Sequence, residues 1–195
     1  MPVSPRLIVL LLIGLLAVGC DRQKAETPQA QAANSASPAS TGKGVDRSHK
    51  GEAAPIAMFK NPDGGDVSIA KFKGVPVLFN LWASWCAPCV KELPTLDRLA
   101  QSHRIDGALG VVAVSEDSGP INSVKAFLAA HKIGDLGAYH DPDMKLTDAL
   151  GVQIMPTTVL YDAAGKEVWR YTGDLDWTGA EATKLLSEIS PAAAR

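Results

Sequence analysis

The sequence predicts an α/β fold in which a mixed β-sheet is flanked by helices. Three observations carry this. Residues 75–82 form a nearly continuous apolar run, read as a strand buried on both faces, and a helical pattern follows at once. Strand-like and helix-like segments then alternate from residue 109 to 150. Two more strands around Ala163-Ala164-Gly165 and a final helix close the chain. A domain of about 140 residues is large enough for one good core.

Residues 1–19 stand outside this fold. Arg6 supplies a short positive start, and residues 7–18 an apolar core. That core is too short to span a bilayer comfortably, which takes about 20 residues. It reads as an export signal. Leu16-Ala17-Val18-Gly19-Cys20 resembles a bacterial lipobox, with Cys20 as the residue to be lipidated and Ala17 standing where Leu is commoner. The alternatives are an ordinary cleaved signal or an uncleaved anchor, with Cys20 incidental. Asp21 resembles the inner-membrane retention signal of Gram-negative lipoproteins. Residues 21–51 are rich in Ala, Gln, Ser, Pro, Thr and Gly. They cannot bury enough apolar surface to offset their ordering entropy, so they read as a flexible tether. The expected organisation is a lipoprotein-type signal over 1–20, a tether over 21–51 and one folded domain over 52–195.

The domain opens with a predicted hairpin: residues 56–60, a turn at Asn61-Pro62-Asp63-Gly64-Gly65, then residues 67–72. The buried strand comes next, and then a helix with Leu93, Leu96 and Leu99 on its inner face and a kink at Pro94. Residues 109–115 read as a second buried strand and 116–119 as a loop. Pro120 fits the first turn of a helix to residue 132, with Val124, Phe127 and Leu128 inward. A short strand is expected at 136–139. Asp141-Pro142 should open a helix that Gly151 stops. Strands at 157–162 and 166–171 form the closing hairpin. Thr178-Gly179-Ala180-Glu181 has a capping-box pattern, opening a helix that buries Leu185, Leu186 and Ile189.

The chemistry sits at the junction of the buried strand and its helix, in Cys86-Ala87-Pro88-Cys89. The unpaired N–H groups and positive dipole end of a helix start stabilise a thiolate, which is the nucleophilic form of cysteine. Cys86 is nearer the helix start and follows Trp85, so it should be the more exposed thiol and attack first. Cys89, one turn later, should be the buried resolving thiol. Pro88 removes no helix hydrogen bond at this position and stiffens the loop. The competing readings are a zinc half-site and two cysteines packed as small apolar residues. Zinc needs about four ligands, and neither a second Cys pair nor a nearby His is present.

Trp82-Ala83-Ser84-Trp85-Cys86-Ala87-Pro88-Cys89, with Ile154-Met155-Pro156-Thr157-Thr158 far downstream, resembles the thioredoxin-like fold. More narrowly, it is similar to the TlpA/ResA-like, membrane-anchored thiol:disulfide interchange proteins of bacteria. The resemblance covers roughly residues 54–189. It implies an N-terminal hairpin and a central strand–helix insertion added to a minimal thioredoxin. It implies a cis peptide bond before Pro156 and a position beside the disulfide for Met155, whose backbone would pair with an extended client strand. The alternative is an ordinary trans proline. Asn80, six residues before Cys86, departs from minimal thioredoxins, where an aspartate at the matching position helps to deprotonate the resolving cysteine. An amide cannot accept that proton. Glu92, at i+3 from Cys89, is the candidate, and ResA-like members carry a glutamate at this match. The competing reading for Glu92 is a solvated surface residue.

The leading functional expectation is an exported, membrane-tethered thiol:disulfide oxidoreductase that reduces disulfides in client proteins. The resemblance suggests apocytochrome c or copper-site proteins of cytochrome oxidase assembly as clients, and a membrane thiol-relay electron donor. The chemistry needs neither metal nor organic cofactor. Two alternatives stand beside it. One is an oxidase of the same fold. The other is a copper-binding assembly factor using both thiolates, since soft thiolates suit Cu(I). The net charge of −2 gives no case for nucleic-acid binding. Trp82 is expected in the core, Trp169 and Trp177 as packing residues, and the four histidines show no metal spacing.

Overall fold

The computed structural model describes residues 42–189. The expected signal over 1–20, with Cys20, and residues 21–41 of the expected tether lie outside the described residues. Among the described residues, no helix is long and apolar enough to cross a membrane.

Eight strands form one mixed sheet: β1 (Gly44–Asp46), β2 (Phe59–Lys60), β3 (Asp66–Val67), β4 (Val77–Trp82), β5 (Gly110–Ser115), β6 (Tyr139–His140), β7 (Thr157–Tyr161) and β8 (Glu167–Thr172). Their order across the sheet is β1-β8-β7-β4-β5-β6-β2-β3. The helices are α1 (Ala87–His103), α2 (Ile121–Ala130), α3 (Lys145–Leu150) and α4 (Ala180–Leu186). β4 is central, parallel to β5 and antiparallel to β7. All six of its residues are buried, as the unbroken apolar run requires.

The period-2 alternation of β4 divides the core in two. Leu78 and Trp82 face a cluster that includes Leu93 and Leu96 of α1, Val124 and Leu128 of α2, and Leu185 of α4. Val77, Phe79 and Leu81 face the other cluster, with Phe59, Ile69, and Leu146 and Leu150 of α3. On that side the Phe72 and Tyr161 rings meet Phe79 edge-on at 5.2 and 6.1 Å, the geometry aromatic quadrupoles prefer.

Several expectations need correction. Residues 44–46, placed in the tether by composition, pair with β8 as an edge strand. Backbone pairing decides there, not the poor apolar content. The opening hairpin is only two residues on each side, and Ile69–Phe72 is a 3₁₀ helix that buries Ile69 rather than a strand. The short strand lies at Tyr139–His140, not at 136–139. Asp141-Pro142 does not start a helix. Asp141 is buried, and its Oδ2 accepts the Leu146 N–H at 2.6 Å, so helix α3 begins only at Lys145. The capping box does not form either: the Thr178 hydroxyl donates to Asp176 Oδ1, and Gly179 is the N-cap without a side-chain bond. Gly151 ends α3 as expected, in a left-handed conformation at φ 63°. Pro94 sits inside a continuous α1.

Candidate active site

Cys86 is the N-cap of α1, and Pro88 lies in the first turn. Cys86 and Cys89 are joined as a disulfide with their Cα atoms 5.3 Å apart. Both sulfurs therefore stand over the N-terminal turn, where free N–H groups and the helix dipole favour a thiolate on reduction. Cys86 is 6% exposed and Cys89 fully buried. The expected order holds, but Cys86 is nearly covered too. Trp85, at 66% exposure, is the large apolar side chain that stands out beside the pair.

The loop before Cys86 is pinned from outside. The Asp117 carboxylate accepts from Ser84 N and from Ser84 Oγ at 2.8 Å, and from Ser115 Oγ at 2.8 Å. His140 Nε2 donates to the Asp117 carbonyl at 2.6 Å. His140 is thus a buried structural histidine. Asp117 and Ser84 went unnoticed in the sequence, since nothing local marks a contact between the ends of two different strands.

The Met155–Pro156 peptide bond is cis. Pro156 is buried and Met155 half-buried. Met155 lines a groove of about 450 Å³ with Trp85, Cys86, Ala87 and Pro88, and the far wall carries Met144 and Thr147. The two motifs, far apart in sequence, therefore meet at one surface.

Glu92 is not a solvated surface residue. It is 2% exposed, on the same α1 face as Cys89. Asn80 Nδ2 donates to Glu92 Oε1 at 2.7 Å and to Thr158 Oγ1 at 2.9 Å. Glu92 Oε2 accepts from Leu175 N at 3.0 Å and from the Trp177 indole Nε1 at 3.1 Å. Burial disfavours the charged carboxylate and pushes its pKa up to about 7, against the pull of the Leu175, Asn80 and Trp177 donors. Such a group can both take up and release a proton near neutral pH. Asn80, an amide that cannot accept a proton itself, donates instead to this carboxyl. Trp177 is fully packed, as expected, but its N–H also reaches Glu92.

Among the described residues, no group of three or more His, Cys, Asp or Glu side chains could hold a metal ion. The arrangement holds a dithiol/disulfide, a titratable acid behind it and a groove in front.

Comparison with known proteins places this geometry. A redoxin family model matches residues 49–186. The thiol-disulfide oxidoreductase ResA of Bacillus subtilis is 29% identical over 126 residues, covering 65% of this chain and 69% of that protein. A Chlorobium tepidum protein assigned as a thiol:disulfide interchange protein DsbE superposes with a TM-score of 0.61 at 26% identity, covering 72% of this chain and 98% of that one. An exposed lipoprotein thioredoxin of Streptococcus pneumoniae gives 0.57 at 26% identity, covering 68% and 98%. With a thioredoxin-like sheet, a Cys-x-x-Cys disulfide at the start of α1 and a redoxin match across most of its length, the chain belongs to the redoxin family, on its TlpA/ResA-like side.

Proposed function

We propose that this chain, a thiol:disulfide oxidoreductase, works as a reductant of client-protein disulfides from an extracytoplasmic membrane anchor. The observation that carries the reading is the Cys86–Cys89 pair at the start of α1, open to a groove and backed by a buried acid. The reduced Cys86 thiolate attacks a client disulfide, and one client sulfur leaves as a thiolate. Cys89 then gives its proton to Glu92 and attacks Cys86 Sγ. The second client sulfur leaves and takes a proton from water. The client gains two electrons and the Cys86–Cys89 disulfide is restored. A membrane thiol-relay donor must then reduce that disulfide again.

The groove supports a protein client. Met155 makes no backbone–backbone hydrogen bond among the described residues, so its N–H and C=O are available to an extended strand. Trp85 and Met144, both exposed and both lining the groove, put apolar surface at the opening. Maturation of cytochrome c or of a copper site is the client class we assign, on the family resemblance and the ResA similarity. Lipidation at Cys20 supplies the anchor, by way of the signal at 1–20 and a tether whose last residues join the sheet. The lipoprotein description of the S. pneumoniae neighbour supports that part.

A redox titration of the full chain in defined thiol/disulfide buffers tests the direction of electron flow. A midpoint near about −270 mV is expected of a reductant, whereas one near about −120 mV would make it an oxidase. Cys86→Ser should abolish client reduction, and Cys89→Ala should accumulate the mixed disulfide. Client reduction that survived Cys86→Ser would sink the reading.

A further inference from the structure

In sequence, residues 173–178 between β8 and α4 offer only the packing residue Trp177 and the start of the capping-box pattern at Thr178. In the structure this segment is strapped onto α1 around one residue. The Thr95 hydroxyl donates to the Glu92 carbonyl at 2.7 Å and accepts the Trp177 N–H at 3.1 Å. Leu175 N and Trp177 Nε1 both donate to Glu92 Oε2. Trp177 itself is 1% exposed, with Tyr171 edge-on at 6.4 Å. One loop therefore supplies both donors to one carboxylate oxygen, while Asn80 of β4 supplies the donor to the other.

The same loop carries a charge that acts on Glu92. Asp174 raises the Glu92 proton affinity, and is itself held ionised at about 2 by hydrogen bonds from Lys43 and Lys91. A cleft of about 230 Å³ beside this loop is lined by Lys91, Glu92, Thr95, Asp174, Leu175 and Asp176. The groups facing Glu92 are thus Cys89 on its own helix, Asn80 on the sheet, and Asp174 and Trp177 on the loop, with Lys91 and Asp176 at the cleft.

We propose that Trp177 is a positioning residue for the thiol chemistry: its indole N–H fixes the Glu92 carboxylate, so the 173–178 loop sets how readily Glu92 takes the Cys89 proton. This rests on Glu92 being the proton acceptor. The reason is physical. A hydrogen bond given to a carboxylate favours its charged, accepting form, and most strongly where burial disfavours charge. The cleft gives the proton a way out that avoids the client groove. In the step concerned, the Cys89 S–H bond breaks and its proton moves to Glu92. The Cys89 Sγ–Cys86 Sγ bond forms, and the bond from Cys86 to the client sulfur breaks.

The test follows that step alone. The full chain, reduced and then converted to a mixed disulfide between Cys86 and glutathione, closes to the Cys86–Cys89 disulfide and releases glutathione. The closure rate is measured against pH. Trp177→Phe keeps the ring and removes the donor. The expected result is a pH profile moved upward by about one unit, as losing a hydrogen bond to a charged group implies, and closure about fivefold slower at pH 7. A Trp177→Phe profile that overlays the wild type, while Glu92→Gln changes it, overturns the role of Trp177 and leaves Glu92 standing. A profile unchanged in Glu92→Gln overturns both. Should Trp177→Phe fail to fold, the unaltered chain and Glu92→Gln still decide. The indole N–H resonance of Trp177 should titrate with the closure profile and lose that inflection in Glu92→Gln; an indole resonance flat from pH 5 to 9 would overturn the proposal.

Discussion

Two buried glutamates lie on opposite faces of the same sheet, and they are provided for in opposite ways. Glu92, on the α1 face, accepts three hydrogen bonds, from Asn80, Leu175 and Trp177. Glu116 follows β5 on the α3 face and is equally buried, at 2% exposure. Among the described residues neither of its oxygens has a partner in good hydrogen-bond geometry, and the Thr147 hydroxyl beside it exerts only a weak downward pull on its pKa. Burial, with Asp141 and Asp148 adding like charge, pushes its pKa up to about 8. The contrast separates what burial does from what a built site does. Burial beside like charges makes a carboxyl neutral at pH 7. Burial with aimed donors keeps it poised near pH 7, where it can accept a proton from a thiol and return it.

The comparison is most sharply tested by removing each acid in turn. Glu92→Gln should slow thiol–disulfide exchange at pH 7–8 by about a hundredfold, the low end for general acid–base catalysis. Glu116→Gln should leave exchange within about twofold. Equal losses in the two variants, measured as rate against pH, would erase the distinction.

Stability should move the other way. Glu92→Leu strands the buried Trp177 indole N–H and one N–H of the buried Asn80 amide, together with the part-buried Leu175 N–H, and each buried donor left unsatisfied costs about 1–3 kcal/mol. Urea denaturation should then find the variant weakened by several kcal/mol. Glu116→Met replaces a carboxyl without well-placed partners by an apolar group of similar length. It should raise stability by about 1–3 kcal/mol at pH 8. A destabilised Glu116→Met would show that the Thr147 hydroxyl holds Glu116 after all.

The pH dependence gives a smaller effect with a definite sign. Both carboxyls have folded pKa values, about 7 for Glu92 and about 8 for Glu116, above their ordinary 4.5. Between these limits the folded chain holds protons that the unfolded chain has released. Stability from this source is therefore complete below about pH 4.5 and is lost as pH rises through 7 to 8. Thermal melts from pH 5 to 8 should show that decline, and Glu116→Gln should flatten it. The smallest effect is expected from Lys43→Ala. It removes one exposed partner of Asp174 and should change stability by less than about 1 kcal/mol, as surface ion pairs do.

Both faces of the sheet were legible in the sequence as far as their apolar pattern goes. Val77 to Trp82 read as buried, and Leu93, Leu96 and Leu99 read as an inner face. Misread pieces were short ones whose form depends on distant partners. The edge strand at 44–46 exists because β8 offers it a free edge. Asp141 looked like a helix start, but it is buried and caps α3 from outside the helix. Within the site, Cys86, Cys89, Pro88, Met155 and Pro156 came from local motifs. Asn80 and Glu92 were singled out separately, and only the fold brings them together, at 2.7 Å.

The sequence by itself determined the redox pair, its place at a helix start and most of the strand–helix order, because each is written in residues a few positions apart. Tertiary structure alone decided that Glu92 is buried and held, that Trp177 reaches it, and that Glu116 is buried without a well-placed partner among the described residues. Burial and hydrogen bonding of a carboxyl depend on groups up to 85 residues away, as in the Trp177–Glu92 bond. No local pattern encodes a desolvation that the whole fold creates.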